Sequence, residues 1–314
     1  MLGIVINPKS GRSTYRKQRL YLFNLLKERH QPFTYRVTQY AGHATEFGRE
    51  LVENGCDELL VLGGDGTLSE VIDGVMHANI TAEQRSKISF GIVPRGTGND
   101  WGRYWGLTRN YKDALDVFLN TGKKQTLDVG CLTLYRNGEE EKHYFINSVG
   151  LGIDPEVCVR ANVIKYYIGA HSINYFFGLL SAVFTHKSIP LEITTDEGLH
   201  FRDMMYTMNI GNGPYAGGGI NLNPDADPSD GKFNVMFVTK PTFRQILSAI
   251  PKLFDGRLKD IDFVRNFTAR QVTIGTSGHL LFEKEGILLN ACGPCKLDII
   301  PSAMQMVVPS KEKE

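Results

Sequence analysis

The stretch Glu58-Leu59-Leu60-Val61-Leu62-Gly63-Gly64-Asp65-Gly66-Thr67-Leu68 decides the fold. Residues 58–62 form an apolar run that reads as a buried strand. Beyond the glycines, apolar residues recur at 68, 71, 72, 75 and 76, the spacing of a helix. Between strand and helix, glycines reach positive φ and let backbone N–H groups close on an anion. The helix start adds free donors and the positive end of its dipole. Strand, glycine turn and helix together read as a phosphate cradle. Asp65 is the odd member, because a carboxylate beside phosphates is repelled unless a cation bridges them or it takes a proton. It points toward phosphoryl transfer, although the same turn also reads as plain geometry with Asp65 as a helix cap.

Outward from this stretch, residues 3–6, 33–37, 58–62 and 88–93 read as strands, and 13–29, 44–53 and 68–78 as helices. Regular alternation of this kind predicts a doubly wound parallel sheet with ligands at the carboxyl ends of its strands. Three loops lie at such ends: Asn7-Pro8-Lys9-Ser10-Gly11, the 63–67 turn, and Pro94-Arg95-Gly96-Thr97-Gly98-Asn99-Asp100. Thr97 and Asn99 bring a hydroxyl and an amide to the third loop. Lys9, Arg12, Arg16 and Lys17 stand near the first as charge partners, and read equally well as a solvated helix face. After about residue 126 the pattern changes to short strands (127–134, 142–149, 191–195, 201–210, 232–238, 271–274, 280–283, 296–300, 304–308) between Gly, Asn and Pro turns. That predicts a β-rich, mainly antiparallel second domain over 128–302, after an α/β domain over 1–127 to which 303–309 returns.

The bulk numbers agree with two globular domains in 314 residues. A net charge of +1 argues against nucleic acid as a partner. No secretory signal and no run of about 18 apolar residues is visible, which predicts a cytoplasmic protein. Five scattered cysteines fit reduced thiols. Cys292-Gly293-Pro294-Cys295 has metal-ligand spacing but no second pair, and reads as a turn rather than a zinc site.

In order along the chain, N-P-x-S-G, G-G-D-G-T-L-x-E-V and P-R-G-T-G-N-D resemble the diacylglycerol kinase catalytic domain superfamily, which includes bacterial lipid kinases, sphingosine kinases and ceramide kinases. The likeness continues in Leu127-Asp128-Val129-Gly130, in 147–154, in Gly217-Gly218-Gly219-Ile220 and in Ser229-Asp230-Gly231-Lys232-Phe233. It is nearest to the bacterial branch. The resemblance implies ATP in an interdomain cleft and a lipid substrate. Asn7, Ser10, Gly11, Gly63, Gly64, Gly66, Thr67, Gly96, Thr97 and Asn99 would hold the nucleotide. Asp65, Asp128 and Asp230 would act around Mg²⁺, and Asp154 would read the lipid headgroup.

A lipid hydroxyl needs a general base to take its proton. Bacterial relatives use the Asp of an Asp-Gly-Glu motif, which this chain lacks. Glu285-Gly286, preceded by Glu283, stands nearest. Three readings stay open: Glu285 is the base, Asp65 is the base, or the chemistry is impaired. The acceptor is diacylglycerol, a sphingoid base, a ceramide or a similar alcohol. The aromatic-rich segment 164–184 offers peripheral contact with a membrane surface, or a helix packed on the β domain. An exposed strand edge leaves a homodimer open. The competing functions are a non-catalytic nucleotide or lipid sensor and an NAD kinase-type enzyme.

Overall fold

The computed structural model describes residues 1–11, 15–96, 98–136, 139–168, 177–178, 181–183, 185–276 and 278–310. Arg12, Thr97 and most of the 164–184 segment lie outside them. The chain divides into two compact units, Met1–Asp128 with Pro301–Glu314, and Val129–Ile300.

The first unit is built on β1 (Leu2–Ile6), β2 (Phe33–Val37), β3 (Glu58–Gly63) and β4 (Ser89–Pro94), with helices α1 (Tyr15–Glu28), α2 (His43–Glu53), α3 (Asp65–Met76), α4 (Ala82–Ser86), α5 (Asp100–Tyr104) and α6 (Tyr111–Asp116). The strands run in the order β2-β1-β3-β4 and every pair is parallel. Parallel strands covered on both faces need no polar alternation. β1 and β4 are accordingly buried along their whole length. Leu2, Ile4, Ile6, Leu60 and Leu62 pack with Leu22 and Leu26 of α1. α3 starts at Asp65, three residues before the apolar periodicity begins, because Gly64 in extended geometry already serves as its N-cap.

The second unit contains most of β5 (Gly122–Arg136), then β6 (Glu139–Phe145), β7 (Ser148–Gly152), α7 (Ile153–Ile168), β8 (Ile189–Thr195), β9 (His200–Gly211), β10 (Tyr215–Ala216), β11 (Ile220–Asn221) and β12 (Phe233–Thr239). It continues through α8 (Phe243–Ala249), β13 (Val264–Ala269), β14 (Gln271–Gly275), β15 (His279–Lys284), β16 (Ile287–Cys292) and the first part of β17 (Cys295–Pro309). Its strand pairs are antiparallel throughout, in the order β16-β15-β7-β9-β8-β14-β17, with β12 pairing β9 and β13. Phe145 stacks on Phe233 at 5.7 Å between ring centroids, within a core that includes Ile210, Phe237 and Phe282.

Sequence patterning missed β13 and β16 and divided β17 in two. β13 (VRNFTA) carries Arg, Asn and Thr on exposed positions, so its apolar alternation is thin. β17 passes through Pro301 and through Ser302, whose φ of 51° marks an irregularity rather than an end. The second part of β17 pairs in parallel with β4. The strand expected over 142–149 is interrupted at Ile146-Asn147, between β6 and β7.

α2 and α3 touch through glycine. A Cβ on Gly74 would lie 1.9 Å from the Thr45 carbonyl oxygen, and one on Gly48 2.2 Å from that of Val71. Gly74→Ala should therefore overpack this crossing and destabilise the protein by about 1–3 kcal/mol. Urea unfolding should show a lower midpoint with an unchanged slope.

Candidate active site

The three loops of the first unit are tied to one another. Asn7 Nδ2 donates to Thr67 Oγ1 at 2.9 Å, while Asn7 Oδ1 accepts from the Lys9 amide at 3.0 Å. Arg95 donates to the Ser10 carbonyl through Nε (3.1 Å) and Nη2 (3.0 Å), and its own amide donates to the Gly63 carbonyl at 2.8 Å. Gly64 and Gly96 meet back to back. A Cβ on Gly64 would lie 2.7 Å from Gly96 Cα, and one on Gly96 2.8 Å from Gly64 Cα. Gly11 (φ 73°) closes the first loop, where a Cβ would lie 2.6 Å from the Arg95 carbonyl oxygen. Gly63 leaves room for the Thr67 side chain, 2.6 Å from where its Cβ would stand. Gly66, at the first turn of α3, is exposed. Asn99 holds a left-handed backbone (φ 51°), donates to the Gly96 carbonyl at 2.8 Å, and keeps a buried Oδ1 with no hydrogen-bond partner. The Arg95 guanidinium is buried beneath these loops, and burial draws its pKa down. Backbone-lined loops, a helix start and a buried cation suit an anionic group.

The carboxylates expected around Mg²⁺ each hold backbone amides instead. Asp65 accepts from the amides of Asp100 (3.1 Å) and Trp101 (3.1 Å), so it caps α5 rather than its own helix. Burial pushes its carboxyl up, opposed by those N–H bonds. Asp128, 1% exposed, accepts from the Ser302 amide at 2.7 Å and fixes the irregularity in β17. Asp230 accepts from the Lys232 amide at 2.9 Å within a turn, and burial raises its pKa too. Among the described residues no three His, Cys, Asp or Glu side chains gather as a cation cage.

The second unit assembles a different set. Glu285, at φ 50°, turns its carboxylate onto the amides of Ile146 (3.1 Å) and Asn147 (2.5 Å), the break between β6 and β7. Lys284, 2% exposed, donates to the Tyr144 carbonyl at 2.9 Å. Glu283 accepts from the Gly286 amide at 2.5 Å. Burial, with the charges of Asp154 and Glu285 added, pushes its carboxyl up to about 8. Asp154 stands at the start of α7 and is raised by burial to about 6. It accepts from Thr207 Oγ1 (3.2 Å) and Asn209 Nδ2 (3.4 Å), and Asn209 Oδ1 accepts from Asn223 (2.7 Å). Gly150 makes the space, since a Cβ there would lie 2.3 Å from Asp154 Oδ2.

An apolar cavity of about 90 Å³ adjoins Asp154 and Thr207. Ile153, Ile220, Leu222, Met236, Leu253 and Val264 are among its walls. Tyr206 also lines it, and the buried Tyr206 hydroxyl has no hydrogen-bond partner. Burial, then the charge of Glu156, holds that phenol up at about 12. Sequence reasoning placed Asp154 here and named Glu283 only as a neighbour of Glu285. It missed Thr207, Asn209 and Tyr206. The available signal was polarity inside β9, whose residues Tyr206-Thr207-Met208-Asn209-Ile210 are all buried. Of the cysteine pair, Cys292 is exposed with its Sγ 2.9 Å from His279 Nδ1, while Cys295 is buried.

The first unit thus carries a cradle of glycine-rich loops, and the second sets the buried Asp154 against an apolar cavity. Residues 1–132 match the diacylglycerol kinase catalytic domain, and 147–308 match the YegS C-terminal NAD kinase beta sandwich-like domain. The chain belongs to this bacterial diacylglycerol kinase and lipid kinase family. It is 28% identical over 260 residues to the diacylglycerol kinase of Mycobacterium tuberculosis, covering 82% of this chain and 79% of that protein. It is 25% identical over 286 residues to the diacylglycerol kinase of Bacillus subtilis, covering 90% and 88%. A crystal structure of a diacylglycerol kinase from Bacillus anthracis shares the fold, with a TM-score of 0.72, 21% identity and coverage of 98% and 97%.

Raising a carboxyl in the folded state has a defined sign. Stability is full below the ordinary pKa near 4.5 and is lost as pH rises through about 8. Glu283→Gln should therefore match the wild type in thermal unfolding near pH 4 and exceed it near pH 9.

Proposed function

We propose that this protein transfers the γ-phosphoryl group of ATP to a hydroxyl of diacylglycerol or a related lipid. The observation that supports it most is the presence, in one unit, of an apolar cavity with Asp154 and Thr207 among its walls and of a Glu283 carboxyl raised to about 8 with the charge of Asp154 among the causes. Asn7, Ser10, Gly11, Gly63, Gly64, Gly66, Thr67, Gly96 and Asn99 hold the nucleotide in this reading, with Thr97 as a further donor. The unpartnered Asn99 Oδ1 and the open backbone of the paired glycines suit a base or phosphate group.

Glu283, not Glu285, is the base. Glu285 already spends one oxygen on two backbone amides, which stabilise its ionised form and hold it in place. Glu283 has an affinity for protons close to that required to relay one at neutral pH. It takes the proton from the acceptor hydroxyl as that oxygen bonds the γ-phosphorus and the bond to the β-phosphate oxygen breaks, leaving ADP. Asp154, Thr207 and Asn209 orient the acceptor, and the Tyr206 hydroxyl supplies a further bond to a polar group on the lipid. Mg²⁺ arriving with the triphosphate would neutralise part of its charge. Asp65, Asp128 and Asp230 do not form a cage for it among the described residues, so no step is assigned to them through the metal. The apolar cavity disfavours a dinucleotide acceptor, for which NAD kinase chemistry would need polar readers.

Transfer of labelled γ-phosphate from ATP to a total lipid extract tests the reading, and the mass of the product names the acceptor. Glu283→Gln should lower kcat by about 10²–10⁴-fold. The wild-type rate should rise with pH and level off above about 8. Glu285→Gln should keep that pH limb but move it to lower pH, because the charge that helps raise Glu283 is gone, and should lower thermal stability. Phosphorylation of NAD without any lipid product would overturn the assignment.

A further inference from the structure

α8 and the turn that follows it close one side of the apolar cavity. Ile246, Ala249, Ile250 and Leu253 line the cavity from this segment. The outward side of the same segment mixes large apolar side chains with polar and basic ones. Leu247 is 45% and Phe254 53% exposed, and Phe243 is exposed as well. Large apolar side chains this exposed, three within twelve residues, mark a contact surface rather than a random scatter.

The charge of the segment identifies the contact. Residues 240–254 contain Lys240, Arg244 and Lys252 and no acidic residue. None of these three makes an ion pair among the described residues, whereas the neighbouring cations Arg257 and Lys259 are held by Asp255 and Asp225. The whole chain carries a net charge of only +1, so this local excess is not a reflection of composition. A second copy of the chain would bring three like charges against three. An anionic bilayer surface brings the opposite charge and accepts the apolar side chains into its acyl boundary.

We infer that residues 240–254 are a membrane-docking segment, which seats Leu247 and Phe254 in an anionic lipid surface and sets the mouth of the cavity against it. The earlier expectation placed membrane contact at 164–184, most of which lies outside the described residues. The present assignment deepens the lipid-kinase reading and rests on it for its purpose, but not for its test.

Two variants separate the contributions: Leu247→Ser with Phe254→Ser, and Lys240→Gln with Arg244→Gln and Lys252→Gln. Neither replaces a residue that lines the cavity, and circular dichroism checks that both fold. Sedimentation with phosphatidylglycerol vesicles and with phosphatidylcholine vesicles should show the wild type preferring the anionic ones. The apolar variant should lose on the order of tenfold in partitioning to both. The basic variant should lose its preference for phosphatidylglycerol, and added salt should do the same to the wild type. Both variants should phosphorylate a water-dispersed short-chain diacylglycerol at the wild-type rate while failing on vesicle-borne substrate. Vesicle binding by both variants equal to that of the wild type would overturn the docking assignment whatever the kinase result. A concentration-dependent dimer abolished by the apolar variant, with no vesicle binding, would overturn it in favour of an interface between copies. Vesicle binding that follows these expectations while no lipid is ever phosphorylated would leave docking standing and remove the kinase reading instead.

Discussion

The approach of Gly64 to Gly96 is the contact on which the first unit depends. With the two Cα atoms pressed together, neither position tolerates a side chain, and the loops after β3 and β4 become one surface made of backbone. The remaining features of the cradle follow from that closeness. Arg95 can reach back to the Ser10 carbonyl, Asn7 can reach Thr67, and Asp65 can reach the amides that open α5. Each of these bonds joins two loops that come from different strands, so the cradle is held from outside the space it encloses. Bonds between loops of different strands fix the shape of that surface, and preorganised dipoles are the ones that contribute most to binding charge.

In the second unit the corresponding constraint is the burial of acid. Glu283 and Asp154 sit where desolvation favours their protonated forms, and Glu285 adds charge beside Glu283. The three carboxyls are distinguished by their donors. Glu285 receives two backbone amides, Asp154 receives a hydroxyl and an amide side chain, and Glu283 receives a single backbone amide. For Glu283 and Asp154 burial raises the proton affinity, and the hydrogen bonds each receives oppose it. Similar residues therefore stand in different surroundings: Glu285 fixes a chain break, Asp154 is tied to β9, and Glu283 is held by one amide.

Much of this was legible in the sequence, and the unreadable parts share a cause. The parallel sheet and its three loops could be read because period, glycine and chain order all agree at residues 58–76. The second unit could be read as antiparallel but not strand by strand, because β13 and β16 each pair only with the preceding strand and leave polar or exposed residues along their length. Asp65 shows the limit for single residues. Its type and place fit a phosphate site, yet its oxygens go to Asp100 and Trp101, thirty-five and thirty-six positions away. Glu283 and Glu285 show the same limit differently. Two glutamates on alternate positions differ in role only because residues 146 and 147, far along the chain, present their amides to one of them.

That division has a consequence for how the missing Asp-Gly-Glu motif is understood. A base needs proximity, an appropriate proton affinity and freedom to move a proton, none of which belongs to a particular triplet of letters. In the proposed reading Glu283-Lys284-Glu285 supplies them by other means. Lys284 is buried and bonded to the Tyr144 carbonyl, so its side chain anchors the end of β15 where glycine would supply none. The anchored strand end carries Glu283 on one side and directs Glu285 to the 146–147 amides through a left-handed backbone. The longer reach of a glutamate is offset by a more rigid attachment. On the proposed assignment of Glu283, the departure from the motif is a substitution of one way of holding a carboxyl for another.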